Sequence, residues 1–282
     1  MYLLIQAVLT WIRRRHSKLR PAVELKMGNF LDILLTRVSL PKNLYSVPYY
    51  KEIYMLPVVF MFSDQGSQYY HMGDFFFRSN IVFKKQMLWL DAMARDFLRE
   101  SIVDQLYNKK NRKSHIFDNI FYTHPALFMQ QYALAQVMLT IGIEPNFVLG
   151  SSLGEFVSAA LAKVLSVEDV FSAVVRQAKD VVQYCASGRM LAILHDTGFY
   201  DKEPILYENS ELAGINLNSH FIVSGAHDKI QLIASFLQKK GISHFLLPVS
   251  YGFHSSVIDP AEPSYTTFLQ QQYLREPLKI LF

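Results

Sequence analysis

The sequence predicts an α/β protein that carries a small α+β insert, and three observations lead there. Residues 56–62 (LPVVFMF), β-branched and aromatic, read as a fully buried strand that ends in the polar stretch Ser63-Asp64-Gln65-Gly66-Ser67-Gln68. A second apolar run at 147–149 breaks at Gly150, passes through Ser151-Ser152-Leu153-Gly154 and continues as a helix-forming stretch of small residues to 165. Residues 189–250 then change character, with strand patterns grouped around one helix, as expected of a compact insert.

Taken in order, residues 1–12 (MYLLIQAVLTWI) are apolar and RRRHSKLR follows. A secretory signal has the reverse order, and so short a run does not reach the roughly 20 residues a bilayer span needs. An amphipathic anchor and an upstream extension both fit; the extension is favoured, with 1–54 outside the domain and Met55 opening it. The polar loop leaving the first strand is where α/β proteins place ligand contacts. Residues 80–106 show apolar positions at helical spacing, and 125–139 form a helix with Pro125 in its first turn, ended by Gly142. Residues 167–184 form the next helix, opened by Ser166 with Glu168 and Asp169 in its first turn, and Gly188 breaks the chain after it.

Within the insert the expectation is a strand at 190–194, a loop carrying Gly198 and Pro204, a strand at 221–224, a helix at 229–239 and a strand at 243–249. The large subdomain, 55–188, resumes at 251–282 with Tyr251-Gly252-Phe253-His254-Ser255. The insert, bracketed in sequence by Ser152 and His254, is expected to form one wall of a cleft. An apolar strand at 278–282 closes the chain with nothing to cover it, so a domain incomplete at its C-terminus is expected.

Composition narrows the function. The chain is 51% hydrophobic with a mean hydropathy of +0.12, yet no apolar run reaches spanning length, so a soluble, cytoplasmic protein is expected. The net charge of +4 is dispersed, and its one local run, 109–113 (KKNRK), reads as a solvated loop; no motif supports nucleic-acid binding. A single cysteine, Cys185, excludes an intrachain disulfide and fits a reducing compartment, and no Cys/His spacing suits a metal such as zinc.

The turn at 150–154 has the form Gly-x-Ser-x-Gly. A serine hydroxyl is a poor nucleophile, and such a turn helps it in three ways. The glycines permit a tight backbone, the side chain of Ser152 is held clear of the sheet, and the helix N-terminus places N–H donors beside a developing oxyanion. The pattern alone also fits an ordinary Gly/Ser turn; its strand-turn-helix setting makes Ser152 the candidate nucleophile. His254, in a Gly- and Ser-flanked turn just after a strand, is the candidate general base, and an ordinary imidazole there would make the rate rise with pH near neutrality.

Four stretches, FMFSDQGSQ (60–68), HPALF (124–128), GSSLGEF (150–156) and YGFHS (251–255), occur in the order found in the malonyl-CoA:acyl carrier protein transacylase family, which includes polyketide synthase acyltransferase domains. The chain resembles that family over residues 56–282. The resemblance implies an α/β-hydrolase-like large subdomain with a small ferredoxin-like insert, and an enzyme that forms an acyl-serine ester before passing the acyl group to a carrier-protein thiol. It implies Ser152 as nucleophile, His254 as base, and the backbone N–H groups of Gln65 and Leu153 as the oxyanion hole. It implies an acyl carrier protein as partner, acyl-CoA as a further acyl source, and no cofactor, phosphopantetheine or CoA thioesters being substrates. A monomer is expected. No acidic third member is evident; carbonyls that orient the histidine in the family would lie beyond Phe282.

The departures carry as much as the matches. The malonyl-handling members place an arginine 25 positions after the serine, where this chain has Gln177, and a neutral amide does not balance a buried carboxylate. Arg176, one residue away on a helix, is turned by about 100 degrees. Ser151 stands where the transferases have histidine and His124 where they have glutamine. With Gln177 these resemble the acyl hydrolases that act in trans on polyketide synthases, and together with Phe253 they are the expected acyl-specificity positions. Asp64 stands where the oxyanion loop has glycine, so its carboxylate either weakens catalysis or points to solvent. Three readings follow: an acyl-carrier-protein thioester hydrolase for non-malonyl groups, a transacylase, including a malonyl transferase if Arg176 reaches the carboxylate, and an inactive carrier-binding fragment.

Overall fold

The computed structural model describes residues 57–278 and 280–281. Residues 1–56, Lys279 and Phe282 lie outside them, and with them the readings of an N-terminal extension ending before Met55 and of the chain's last residue.

Among the described residues there are two sheets. β1 (Val59–Phe62) and β2 (Phe147–Gly150) pair in parallel, with β7 (Ile280–Leu281) on the far side of β2. The register sets Val59 against Phe147 and Phe62 against Gly150, so the two strands end level. The loop after β1 and the turn after β2 therefore leave the carboxyl edge of the sheet side by side, where α/β sheets build ligand sites.

Helices cover this sheet. α1 (Asp74–Ser79) precedes the stretch of helical spacing at 80–106, which forms two helices, α2 (Ile81–Leu98) and α3 (Ile102–Leu106). The break is physical: Arg99 takes φ +61°, Ser101 caps α3 by accepting from Asp104 N–H at 3.0 Å, and buried Asp91 accepts from Ser101 Oγ and Val103 N–H. α4 (Ile120–Thr140) starts earlier than expected because Asn119 caps it, so Pro125 lies inside the helix and not in its first turn. α5 (Gly154–Leu161) follows the Ser152 turn. α6 (Val167–Tyr184) begins at Ser166, whose Oγ accepts from Asp169 N–H at 3.0 Å.

The insert comprises β3 (Gly188–Ile193), α7 (Gly198–Lys202), α8 (Pro204–Tyr207), β4 (Glu211–Leu217), β5 (His220–Ala226), α9 (His227–Lys239) and β6 (His244–Leu246). Its antiparallel order β4-β5-β3-β6 is the ferredoxin-like split βαβ that the resemblance implied. Where a loop was expected the chain forms α7, α8 and β4. The two helices are four and five residues long, and β4 is an edge strand whose alternation is broken by register shifts on either side of Gly214 and Ile215. β6 is shorter than the expected 243–249 because Pro248 cannot donate to the ladder. A 3-10 turn (Ser256–Ala261) and α10 (Glu262–Gln270) complete the chain before β7.

Three apolar clusters hold these layers. One, with Phe83, Phe128, Phe156 and Phe171, joins the sheet to α2, α4, α5 and α6; a second, with Leu191, Phe221, Ile230 and Leu237, lies under the insert. The third, with Ala178, Val181, Met190, Val249 and Phe253, joins α6 to β3 and the segment entering the His254 turn.

Candidate active site

Between Gly150 and Gly154 only three residues turn strand into helix, and Ser152 takes φ +55°, a left-handed conformation costly for a side-chain-bearing residue. A Cβ on Gly150 would lie 2.3 Å from Glu155 N, and one on Gly154 2.3 Å from Phe62 O, so neither position admits a side chain. Ser151 N–H donates to Phe62 O at 2.9 Å and fixes the turn to the end of β1.

His254 arrives from the other side, also left-handed at φ +61°. Ser152 Oγ lies 3.0 Å from its Nε2. The insert holds the approach to that turn: Gly188 N–H donates to Ser250 O at 3.1 Å, and the Arg189 guanidinium donates to Val249 O. Ser250 Oγ donates to Asp118 at 2.9 Å and Ser255 Oγ to Gly252 O at 2.7 Å. Burial lowers the His254 pKa to about 4. The expected titration near neutrality is thus corrected: a desolvated imidazole stays neutral well into acid.

Gln65 N–H and Leu153 N–H, the expected oxyanion donors, converge on one oxygen, at 2.6 and 3.3 Å. That oxygen is Oδ1 of Asp64. The carboxylate does not point to solvent; it takes both of the expected oxyanion donors. Burial raises the Asp64 pKa, opposed by hydrogen bonds from Ser152 and from these two N–H groups. Burial likewise pushes Glu155, on the first turn of α5, up to about 8; a backbone hydrogen bond at Ser152 opposes this and the Asp64 charge adds to it.

The loop backbone is fixed independently of that side chain. Ser67 Oγ donates to Asp64 O at 2.9 Å and Gln131 Nε2 to Ser63 O at 3.1 Å. Gln68, a positioning residue that sequence reasoning did not single out, accepts from Gly66 N–H and donates to Phe117 O and Pro248 O, tying the loop to the chain that leads to His254.

A cleft of about 450 Å³ opens beside His254, lined by Gln177, Phe253 and Tyr265 among others. Glu211, Leu212 and Ala213 of β4 form one wall, as expected of a segment bracketed by the serine and the histidine. Gln177 is 4% exposed and its Oε1 has no hydrogen-bond partner among the described residues; the Tyr265 hydroxyl, unforeseen from sequence, is also buried without one among them. Arg176 faces elsewhere: its Nε donates to both Asp180 carboxylate oxygens at 2.9 Å, its Nη2 to Ser264 Oγ at 2.7 Å, and its guanidinium lies over Phe268. His124 is fully buried against the Phe253 ring, its pKa lowered by burial to about 3, and Ser151 is exposed on the turn. Among the described residues no cluster of His, Cys, Asp or Glu could hold a metal ion, and no helix is long and apolar enough to cross a membrane.

The chain is similar to known proteins in sequence and fold. The chain is 48% identical over 221 residues to the polyketide biosynthesis acyltransferase homolog BaeD of Bacillus velezensis and, equally, to PksD of Bacillus subtilis, matching 78% of this chain and 68% of each relative. The solved acyl transferase domain of SpnD, in complex with 2-(pent-4-yn-1-yl)malonyl, superposes with a TM-score of 0.72 at 25% identity; the match covers 84% of this chain but only 56% of that one. The model of the acyl transferase domain matches residues 59–279, most of the described structure. The chain belongs to the acyl transferase domain family.

Proposed function

We propose that this acyltransferase-family protein takes acyl groups from acyl carrier protein thioesters through an acyl-Ser152 ester and hydrolyses them, with neutral groups preferred over malonyl. The observation that carries the reading is the 3.0 Å contact of Ser152 Oγ with His254 Nε2 on a left-handed turn beside two converging N–H groups. In the first half-reaction the Ser152 proton passes to His254 as Oγ bonds to the thioester carbonyl. The oxyanion takes both N–H donors, and the carbon–sulfur bond breaks as His254 returns the proton to the departing thiol. In the second, His254 takes a proton from water, the new oxygen–carbon bond forms and Ser152 leaves as the hydroxyl, releasing a carboxylic acid. The names of the BaeD and PksD relatives favour polyketide biosynthesis as the setting.

Gln177 supports the acyl preference. A malonyl carboxylate in this cleft meets an uncharged amide, while the neighbouring guanidinium is already paired with Asp180. Transfer to a second carrier thiol is the alternative outcome of the same acyl-enzyme. Wild type is expected to cleave acetyl and longer neutral acyl-carrier substrates ahead of malonyl, with free acid as the product. Gln177→Arg should shift preference toward malonyl by roughly 10- to 150-fold, the worth of a charge-assisted bidentate pair. Competing acetyl- and malonyl-carrier substrates in one assay measure the ratio. Efficient malonyl transfer by wild type, with little free acid, would replace the hydrolase reading with the transacylase.

A further inference from the structure

We propose that Asp64 is a tethered occupant of the oxyanion hole, so that the site is closed in its resting state and opens only when the Asp64 side chain turns away. The inference rests on reading Ser152 as the nucleophile. Its basis is geometric: one oxygen of Asp64 receives both Gln65 N–H, at 2.6 Å, and Leu153 N–H, at 3.3 Å, beside the Ser152–His254 contact. Those two N–H groups are the ones the oxyanion of a tetrahedral intermediate would use. With one Asp64 oxygen on both donors, a thioester carbonyl has to compete for the same N–H groups. A substrate therefore reacts only with the fraction of molecules whose hole is empty, and its apparent reactivity falls by that fraction.

The surroundings let the side chain move alone. The loop backbone is fixed on both sides of the seat by Ser67 Oγ on Asp64 O, by Gln131 on Ser63 O and by the three bonds of Gln68. Gln65 thus keeps its position when the carboxylate rotates, and Leu153 is held by the turn whose Ser151 N–H donates to Phe62 O. Asp64 is only partly buried, so a rotated carboxylate reaches water. Burial disfavours its charge in the seat, which offsets part of what the hydrogen bonds contribute there and keeps the closed state escapable.

The test uses a tagged fluorophosphonate, which needs no carrier protein. Ser152 Oγ bonds to phosphorus, the phosphorus–fluorine bond breaks, fluoride leaves, the serine proton goes to His254, and the phosphoryl oxygen takes the hole. Labelling followed by intact mass and by peptide mapping should be about 10-fold faster or more in Asp64→Gly and Asp64→Ala than in wild type. Asp64→Asn, which keeps the shape but has a weaker acceptor, should fall between. Ser152→Ala should not label. Equal or slower labelling of the glycine and alanine variants, or no labelling in any variant, would overturn the proposal. If those two fail to fold, judged by circular dichroism, the asparagine variant decides alone by the same criterion. Acyl-carrier turnover on the same samples separates the two readings: fast labelling of Asp64→Gly without thioester cleavage keeps the occupied hole and removes the proposed acyl-carrier reaction.

Discussion

Ser152→Ala is expected to abolish acyl-enzyme formation. No other hydroxyl shares its position: Ser151 is exposed with its backbone bonded to Phe62, and Ser67 is engaged with Ser63 and the Asp64 carbonyl. Removal of a serine nucleophile from an intact site costs about 10^4-fold or more. Incubation of wild type with an acyl thioester should add one acyl mass to the peptide containing Ser152, and the alanine variant should show none. An acyl group on Ser151 or Ser67 would end the assignment. The substitution fills no space and the turn is set by Gly150, Gly154 and the Ser151 bond, so the fold should survive and the loss should be chemical.

His254→Ala should cost about 100-fold or more in the same acylation step, the usual worth of a positioned base. The pH profile sharpens this. A base must be neutral to accept the serine proton, and burial lowers His254 to about 4, so activity should be present above that value and fall below it. The limb belongs near pH 4 rather than near neutrality. The cleft beside His254 also holds Asp180, Glu211, Asp259 and Glu262, and burial pushes Glu155 on the adjoining turn up to about 8; a second inflection there would report that carboxyl and should persist in His254→Ala. A single limb near neutrality that vanishes with His254 would show that the ring is wetter than its burial implies.

Much of this site was legible in the sequence because its key residues lie where local chain chemistry is strict. Two glycines around Ser152 announce a turn that only a sharp strand-to-helix passage needs, and an apolar run followed by Ser-Asp-Gln-Gly announces a loop at a strand end. The layout of buried strands and capped helices follows from the same local rules, and so does the helix that Ser166 opens. What stayed hidden depends on contacts distant in sequence. The direction of the Asp64 side chain is set by Leu153, 89 residues away, and the Gln68 anchor by Pro248, 180 away. Strand β4 escaped notice because an edge strand with exposed Leu212, Ile215 and Leu217 lacks the alternation that burial on one face imposes. The depressed pKa of His254 comes from tertiary burial and has no signature in the YGFHS stretch.

The serine and the histidine are rooted in different apolar clusters: Ser152 follows a strand anchored among Phe128, Phe156 and Phe171, while His254 is carried by Phe253 and Val249 at the seam with the insert. Their contact is thus a gauge of whether two cooperative units are closed on one another, and a local opening separates the pair while leaving each unit intact. On gradual warming, turnover should disappear reversibly ahead of the loss of helical circular dichroism. Amide exchange at 251–255 should run faster than in β1 and β2. Coincident loss of activity and ellipticity would mean that the protein melts as one unit.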